Sequence, residues 1–244
     1  MPIRVAAADP DDFRGNALLA ALPHDDVRRL VHDFELVTDV EVRHPVYTAG
    51  ETADYAWFPL SSVFSLLTEM EDGRSFEVAT VGKEGFVGLP MFLQGRYTSA
   101  HSAFCQVPGD ALRIPVERFN THVNSTSALH TTLHRYTLAL LTQIGQSSAC
   151  NRLHSLLQRC TRWVLMTHDR VGRDEFQLTQ EFLAQMLGVR RAGVNEAARE
   201  LQERGLIAYN RGELTVTDRA GLEAAACECY RIIREEHERL LNHP

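Results

Sequence analysis

Residues 179–204, TQEFLAQMLGVRRAGVNEAARELQER, constrain this chain more than any other segment. Two short helices cross closely only where the turn and the facing side chains are small or apolar. Ala184, Gly188 and Val194 meet that need at the spacing A-x3-G-x5-V, and Leu183, Leu187, Val189 and Ala197 fill the other inward positions at helical period. Gly188 frees the end of the first helix to take a positive φ, which a Cβ would oppose. Thr179 stands where its hydroxyl caps that helix. Arg190, Arg191, Gly193, Asn195, Glu196 and Arg199 are left facing outward from the second helix. A helix propped in this way fits a DNA major groove. The spacing by itself also suits an ordinary antiparallel helix pair.

The next segment favours the DNA reading. LIAYNRGELTVTD (206–218) alternates apolar and polar residues around Asn210-Arg211-Gly212, a hairpin signal. A helix-turn-helix followed by a hairpin is a winged helix, whose wing can rest on phosphates beside the groove.

The 244 residues suffice for two cored domains. The formal net charge of −7 looks wrong for a nucleic-acid binder. Its acids, however, are concentrated in the first 149 residues, and residues 150–220 carry a small positive excess; phosphate contact depends on the local arginine face. No apolar run approaches the ~20 residues of a membrane span. The start, MPIRVAAADPDDF, lacks the basic and apolar segments of a signal peptide, so a cytoplasmic protein is expected. The five cysteines are read as reduced and structural.

Three blocks follow along the chain. Residues 1–116 begin with a weak helical pattern (1–22) and a short helix opened by Pro23. Strand-like runs then follow: VYTAG, YAWFPL, VFSLLT, SFEVATV, HSAFCQV and ALRI, with Asp72-Gly73 as a hairpin turn. This predicts an antiparallel β-roll of the jelly-roll kind. Residues 117–151 read as one long helix in which Leu129, Leu133, Tyr136, Leu140 and Ile144 repeat at spacings of three and four. We read this stripe as a dimer seam, with Leu138 and Leu141 packing back on the roll; simple packing of the stripe on the roll is the alternative. The pattern changes phase near 151–155, the expected hinge. Residues 152–244 then comprise a floor helix (156–168), a loop at 168–172, the winged helix, and one last helix over about 219–241. That helix is capped by Asp218, and its REEHERLL end faces solvent. The fold class is therefore α+β.

The order β-roll, long helix, winged helix resembles the Crp/Fnr family of bacterial transcription regulators. The resemblance spans essentially the whole chain and is strongest over 150–230, from ACNRLHSLLQR through LTQEFLAQMLGVRR to DRAGLEAAACECY. It implies a homodimer reading a palindrome in double-stranded DNA, with half-sites about 34 Å apart, and RNA polymerase as a further partner. It places Arg191, Ala192 and Glu196 in the family's three base-reading slots. Arg191 would reach a guanine edge, and Ala192 could meet only a thymine methyl. Glu196 would accept from cytosine or pair with Arg199, and Asn195 is a candidate for adenine. Thr179, Arg190, Arg199 and Arg211 would hold phosphates. Gly193 is read either as a close approach to the DNA backbone or as a tolerated surface glycine.

Family members that bind cyclic nucleotides grip the ribose with Gly-Glu and the phosphate with Arg-Ser or Arg-Thr. Here Phe86-Val87-Gly88 and Thr98-Ser99 occupy those places, and the cation is lost unless Arg96 supplies it from two residues away. Cyclic nucleotide binding is therefore disfavoured and no cofactor is expected. Phe86, Met91, Phe92 and Phe104 could line a pocket for another effector, but more readily form the roll's core. The first cysteine is Cys105, so an N-terminal iron–sulfur set is absent. Cys150/His154 and His130/His134 are i,i+4 pairs, each giving two metal ligands where zinc wants four. Cys227 and Cys229, as alternate positions of one helix, would point apart, although a redox role for them stays open. No metal site is expected. No H-E-x-x-H, G-x-S-x-G or P-loop occurs, which argues against an enzyme. The competing function is a ligand-binding or protein-interaction module whose winged helix docks protein.

Overall fold

Short apolar runs between Glu35 and Pro115, several of them buried over consecutive positions, build two antiparallel sheets, the first with an added strand at 4–7. The computed structural model describes residues 3–95, 98–124 and 126–241. The strands of the first block are β1 (Arg4–Ala7), β2 (Glu35–Val40), β3 (Pro45–Tyr47), β4 (Tyr55–Pro59), β5 (Val63–Glu69), β6 (Ser75–Val81), β7 (Ser102–Val107) and β8 (Gly109–Pro115). They pair in the orders β1-β2-β8-β4 and β3-β7-β5-β6. The turn at Asp72-Gly73 joins β5 to β6, with Gly73 at φ 80°. Short helices α1 (Ala17–Ala20), α2 (His24–Leu30) and α3 (Leu89–Gln94) cover the ends of the roll. Residues 4–7 form a strand where the sequence suggested helix. All four are exposed, so no burial pattern announced it.

Aromatic rings fill the roll. Phe13 meets Phe34 at 4.9 Å between centroids, and Phe58 stacks on Phe86 at 5.6 Å. Asn16 is a buried polar side chain that repeats a cap's logic at long range. Its oxygen accepts from the amides of Leu18 and Leu19, and its nitrogen donates to the Pro59 and Gly85 carbonyls.

The long helix is two helices. α4 (Val116–His122) ends at Val123, and Ser127 caps α5 (Ala128–Leu153) by accepting from His130 N–H. His154 is extended, and Ser155 opens α6 (Leu156–Val171) with a capping box completed by Gln158. α6 runs through the expected loop at 168–171 and stops at Gly172, which is left-handed at φ 67°. There follow β9 (Glu175–Gln177), α7 (Gln180–Leu187), α8 (Arg191–Glu203), β10 (Ile207–Asn210), β11 (Glu213–Val216), α9 (Arg219–Ala225) and α10 (Glu228–Leu241). The expected single C-terminal helix is thus broken between 225 and 228. α10 does not face solvent throughout: it lies along α5, and buried His237 meets the Tyr136 ring edge-on at 6.3 Å.

The C-terminal block is docked on the roll. Phe182 packs edge-on against Phe104 at 6.0 Å, Gln185 donates to Ser75, and Leu67 of β5 joins the second core. Glu77 of β6 sits at this junction, accepting from Ser65 Oγ at 2.7 Å and Trp163 Nε1 at 2.8 Å. Burial pushes its carboxyl up from 4.5 to about 7, opposed by those two donors and by Arg162 and Arg170. A raised carboxyl holds its proton in the folded chain after the unfolded chain has lost it. Its contribution is therefore complete below 4.5 and is lost as pH rises through about 7. Urea midpoints taken from about pH 5 to about pH 8 should fall for the native chain and flatten for Glu77→Gln.

Candidate nucleic-acid interface

Thr179 caps α7, accepting from Phe182 N–H at 3.1 Å as its position suggested. Gly188 ends that helix at φ 63°, and the Gly188 and Val189 amides return to carbonyls of the last turn. Ala184, Val194, Ala197 and Leu201 are buried between α7, α8 and α6. This leaves Arg190, Arg191, Ala192, Asn195, Glu196 and Arg199 exposed. All but Arg199 project from the first half of α8, whose N-cap Arg190 provides no side-chain acceptor, so the first amides at that end are open to an anion.

Two expectations about α8 need correction. Gly193 does not face outward: it is half-buried, and a Cβ there would come 2.7 Å from Leu156 Cδ2. The glycine lets Leu156 of α6 pack close against this turn of α8. Glu196 does not pair with Arg199, which instead bridges to Glu203 at 3.7 Å one turn on. Asn195 Oδ1 accepts from Gln180 Nε2 at 3.3 Å, which orients its amide.

The wing follows the predicted hairpin. Asn210 faces Glu213, leaving Arg211-Gly212 as a two-residue turn with φ 49° and 84°. Positive φ at both positions is the primed geometry that suits twisted strands, and Gly212 takes it without cost. Arg211 is exposed at the tip, and β9 adds a third strand, in the order β10-β11-β9.

Solved structures share this architecture. A CRP-family transcriptional regulator from Thermus thermophilus is 19% identical, with TM-score 0.63 over 76% of this chain and 94% of that one. FixK2 from Bradyrhizobium japonicum is 14% identical, with TM-score 0.66 over 78% and 96%. CLP from Xanthomonas campestris, described as a c-di-GMP-responsive global regulator, is 15% identical, with TM-score 0.61 over 80% and 99%. At these identities the likeness is one of fold. No curated protein matches the sequence. Residues 38–125 match the cyclic nucleotide-binding domain family and residues 152–225 the Crp-like helix-turn-helix domain, together more than half of the chain. The chain belongs to the Crp/Fnr family of transcription regulators.

In this Crp/Fnr chain Phe86 and Val87 are wholly buried, with the Phe86 ring enclosed by Phe58, Phe119 and Tyr136, as part of the roll's core. Met91 belongs to the same core, and Phe92 packs against it. Gly88 has extended backbone at φ 165° and abuts Ala56. Thr98 bridges Thr52, and buried Ser99 accepts from His101 N–H at 3.0 Å. Arg96 lies outside the described residues.

The expected dimer seam is also corrected. Leu129, Leu133, Tyr136 and Leu140 are at most 2% exposed within one chain, and they belong to the roll's core, with Ile144 packed partly against it. The opposite stripe is the open one. Thr131, His134, Leu138, Leu141, Gly145, Ser148 and Arg152 are all exposed, at spacings that alternate three and four. Leu138 and Leu141 are 49% and 55% exposed, and nothing lies within 4 Å of a Cβ placed on Gly145. No helix among the described residues is long and apolar enough to cross a membrane.

Proposed function

We propose that this Crp/Fnr protein is a cytoplasmic, sequence-specific regulator that binds a palindromic site in double-stranded DNA as a homodimer. Its further partner is RNA polymerase. The observation that carries the reading is the exposed first half of α8, with Arg190 and Arg191 at an uncapped helix start and Arg211 on the adjacent wing. The open 3–4 stripe of α5 supplies the two-fold contact, since its period is that of a left-handed helix pair and Gly145 admits close approach. Docking of α7 on β6 gives the roll a handle on the winged helix. An effector or partner that binds the undocked and docked forms unequally would shift the spacing of the two α8 helices. A cyclic nucleotide is not the effector we propose, because core aromatics fill the ribose-gripping position.

Selection of bound sequences from random DNA tests the class, and a recovered palindrome is the expected result. Affinity for that site should fall linearly on a logarithmic scale as salt rises. In Arg191→Ala, preference should relax at one position of each half-site by about 1–3 kcal/mol while the rest of the site is kept. Full retention of sequence preference would show that Arg191 does not read a base.

A further inference from the structure

Three buried thiols stand apart from both cores. Cys150, Cys227 and Cys229 form a cluster of their own, with His154 beside them. The sequence suggested that Cys227 and Cys229 diverge on one helix. The break between α9 and α10 removes that constraint: Cys227 precedes α10 and Cys229 lies in its first turn, so both sulfurs turn toward the end of α5. There Cys150 and His154 sit one helical turn apart.

We infer that Cys150, His154, Cys227 and Cys229 form a Cys3His site for a zinc ion. Their four ligand atoms all lie within 4.8 Å of one another. Cys150 Sγ is 3.5 Å from Cys227 Sγ, and Cys229 Sγ is 3.6 Å from His154 Nδ1. Zinc arms of about 2.3 Å to sulfur and about 2.0 Å to nitrogen separate tetrahedral neighbours by about 3.5–3.8 Å, so both measured edges fit. A carboxylate orients the imidazole: Glu228 Oε2 lies 3.3 Å from His154 Nε2, which turns Nδ1 to the thiols. That is the outer support a zinc-binding histidine uses.

Charge points the same way. Arg162 is 5% exposed and lies beside Cys150; Nη1 is 3.4 Å from Ser147 Oγ and 3.2 Å from Met166 Sδ, and Nε has no hydrogen-bond partner among the described residues. A buried guanidinium needs opposing charge, and the nearby Glu77 carboxyl shares its field with Arg170. Zinc with three thiolates and a neutral imidazole carries one net negative charge, which Arg162 would balance. Binding releases the thiol protons to solvent and changes no oxidation state.

The site joins residues on both sides of the hinge at 154–155. Cys150 and His154 come from the end of α5, and Cys227 and Cys229 return to it after the winged helix. The metal would therefore fasten α10 to α5 independently of the peptide link.

Metal analysis of the full chain, purified under reducing conditions without chelator, should find about one zinc per chain. After its removal, Co2+ should bind one to one with an intense thiolate-to-cobalt band in the near ultraviolet and tetrahedral bands in the red. Glu228→Gln, at a largely exposed side chain, should keep the fold and weaken cobalt binding about 10–100-fold. Cys160→Ser, outside the cluster, should leave the spectrum unchanged. Three results would overturn the inference: a cobalt spectrum without thiolate bands, unaltered affinity in Glu228→Gln, or a Cys150–Cys227 disulfide in place of metal uptake.

Discussion

The double variant Leu138→Glu/Leu141→Glu should stay folded, sediment as a single chain and lose at least ~100-fold in affinity for a two-half-site operator. Both leucines are about half exposed in one chain, so charging them costs the isolated fold little. Across a two-fold axis, each glutamate meets its own copy on a stripe that is otherwise small or polar. Like charges at such close range oppose association. Once the chains separate, the second α8 is no longer held near its half-site, and its binding becomes a separate bimolecular event. Sedimentation velocity and gel shifts on the selected palindrome measure the two effects. A variant that remains dimeric would place the seam elsewhere.

Tyr136→Ala should do the reverse, costing about 3–5 kcal/mol of fold stability without acting first on association. Tyr136 is fully buried, its ring 5.5 Å from Phe86 and edge-on to His237. The neighbouring backbone is shaped for it: a Cβ on Gly85 would run into that ring. Removing the ring leaves a void among aromatic neighbours held by the sheets, which cannot close over it. The urea midpoint should fall sharply at constant slope. A chain of normal stability that has merely become monomeric would return Tyr136 to the seam.

These two variants mark where the sequence could be read and where it could not. α5 carries two stripes at the same three-and-four spacing. The bulkier one, Leu129-Leu133-Tyr136-Leu140, looks like the partner contact in sequence because its periodicity is the stronger signal. A roll packed with phenylalanines takes up that bulk within the chain, and the stripe left open is the thinner one around Leu138, Leu141 and Gly145. Periodicity identifies a helix face but cannot say which surface will cover it. The winged helix was legible for the opposite reason. Gly188, Thr179 and Arg211-Gly212 are local backbone demands, met within a few residues of where they are written.

The break before α10 left no such mark, since neither proline nor glycine occupies 225–228. Without it, the convergence of Cys227 and Cys229 on Cys150 was invisible. The same holds for Gly193, whose close neighbour is Leu156, thirty-seven residues earlier in sequence. Tertiary neighbours decide such positions, and spacing along one element carries no trace of them.

The course of α10 along α5 has a mechanical outcome. A block fixed to its base by one flexible joint can swing in any direction. A block that is also held along a second line, from the Cys150–Cys227 contact up to His237 on Tyr136, behaves as a door does on its frame. Released from its docking on the roll, it would keep one axis, parallel to α5, and turning about it would carry Arg191 around an arc. In the homodimer proposed above, two such doors on one two-fold post would open by equal and opposite amounts, and the distance between the two α8 helices would become a single adjustable quantity.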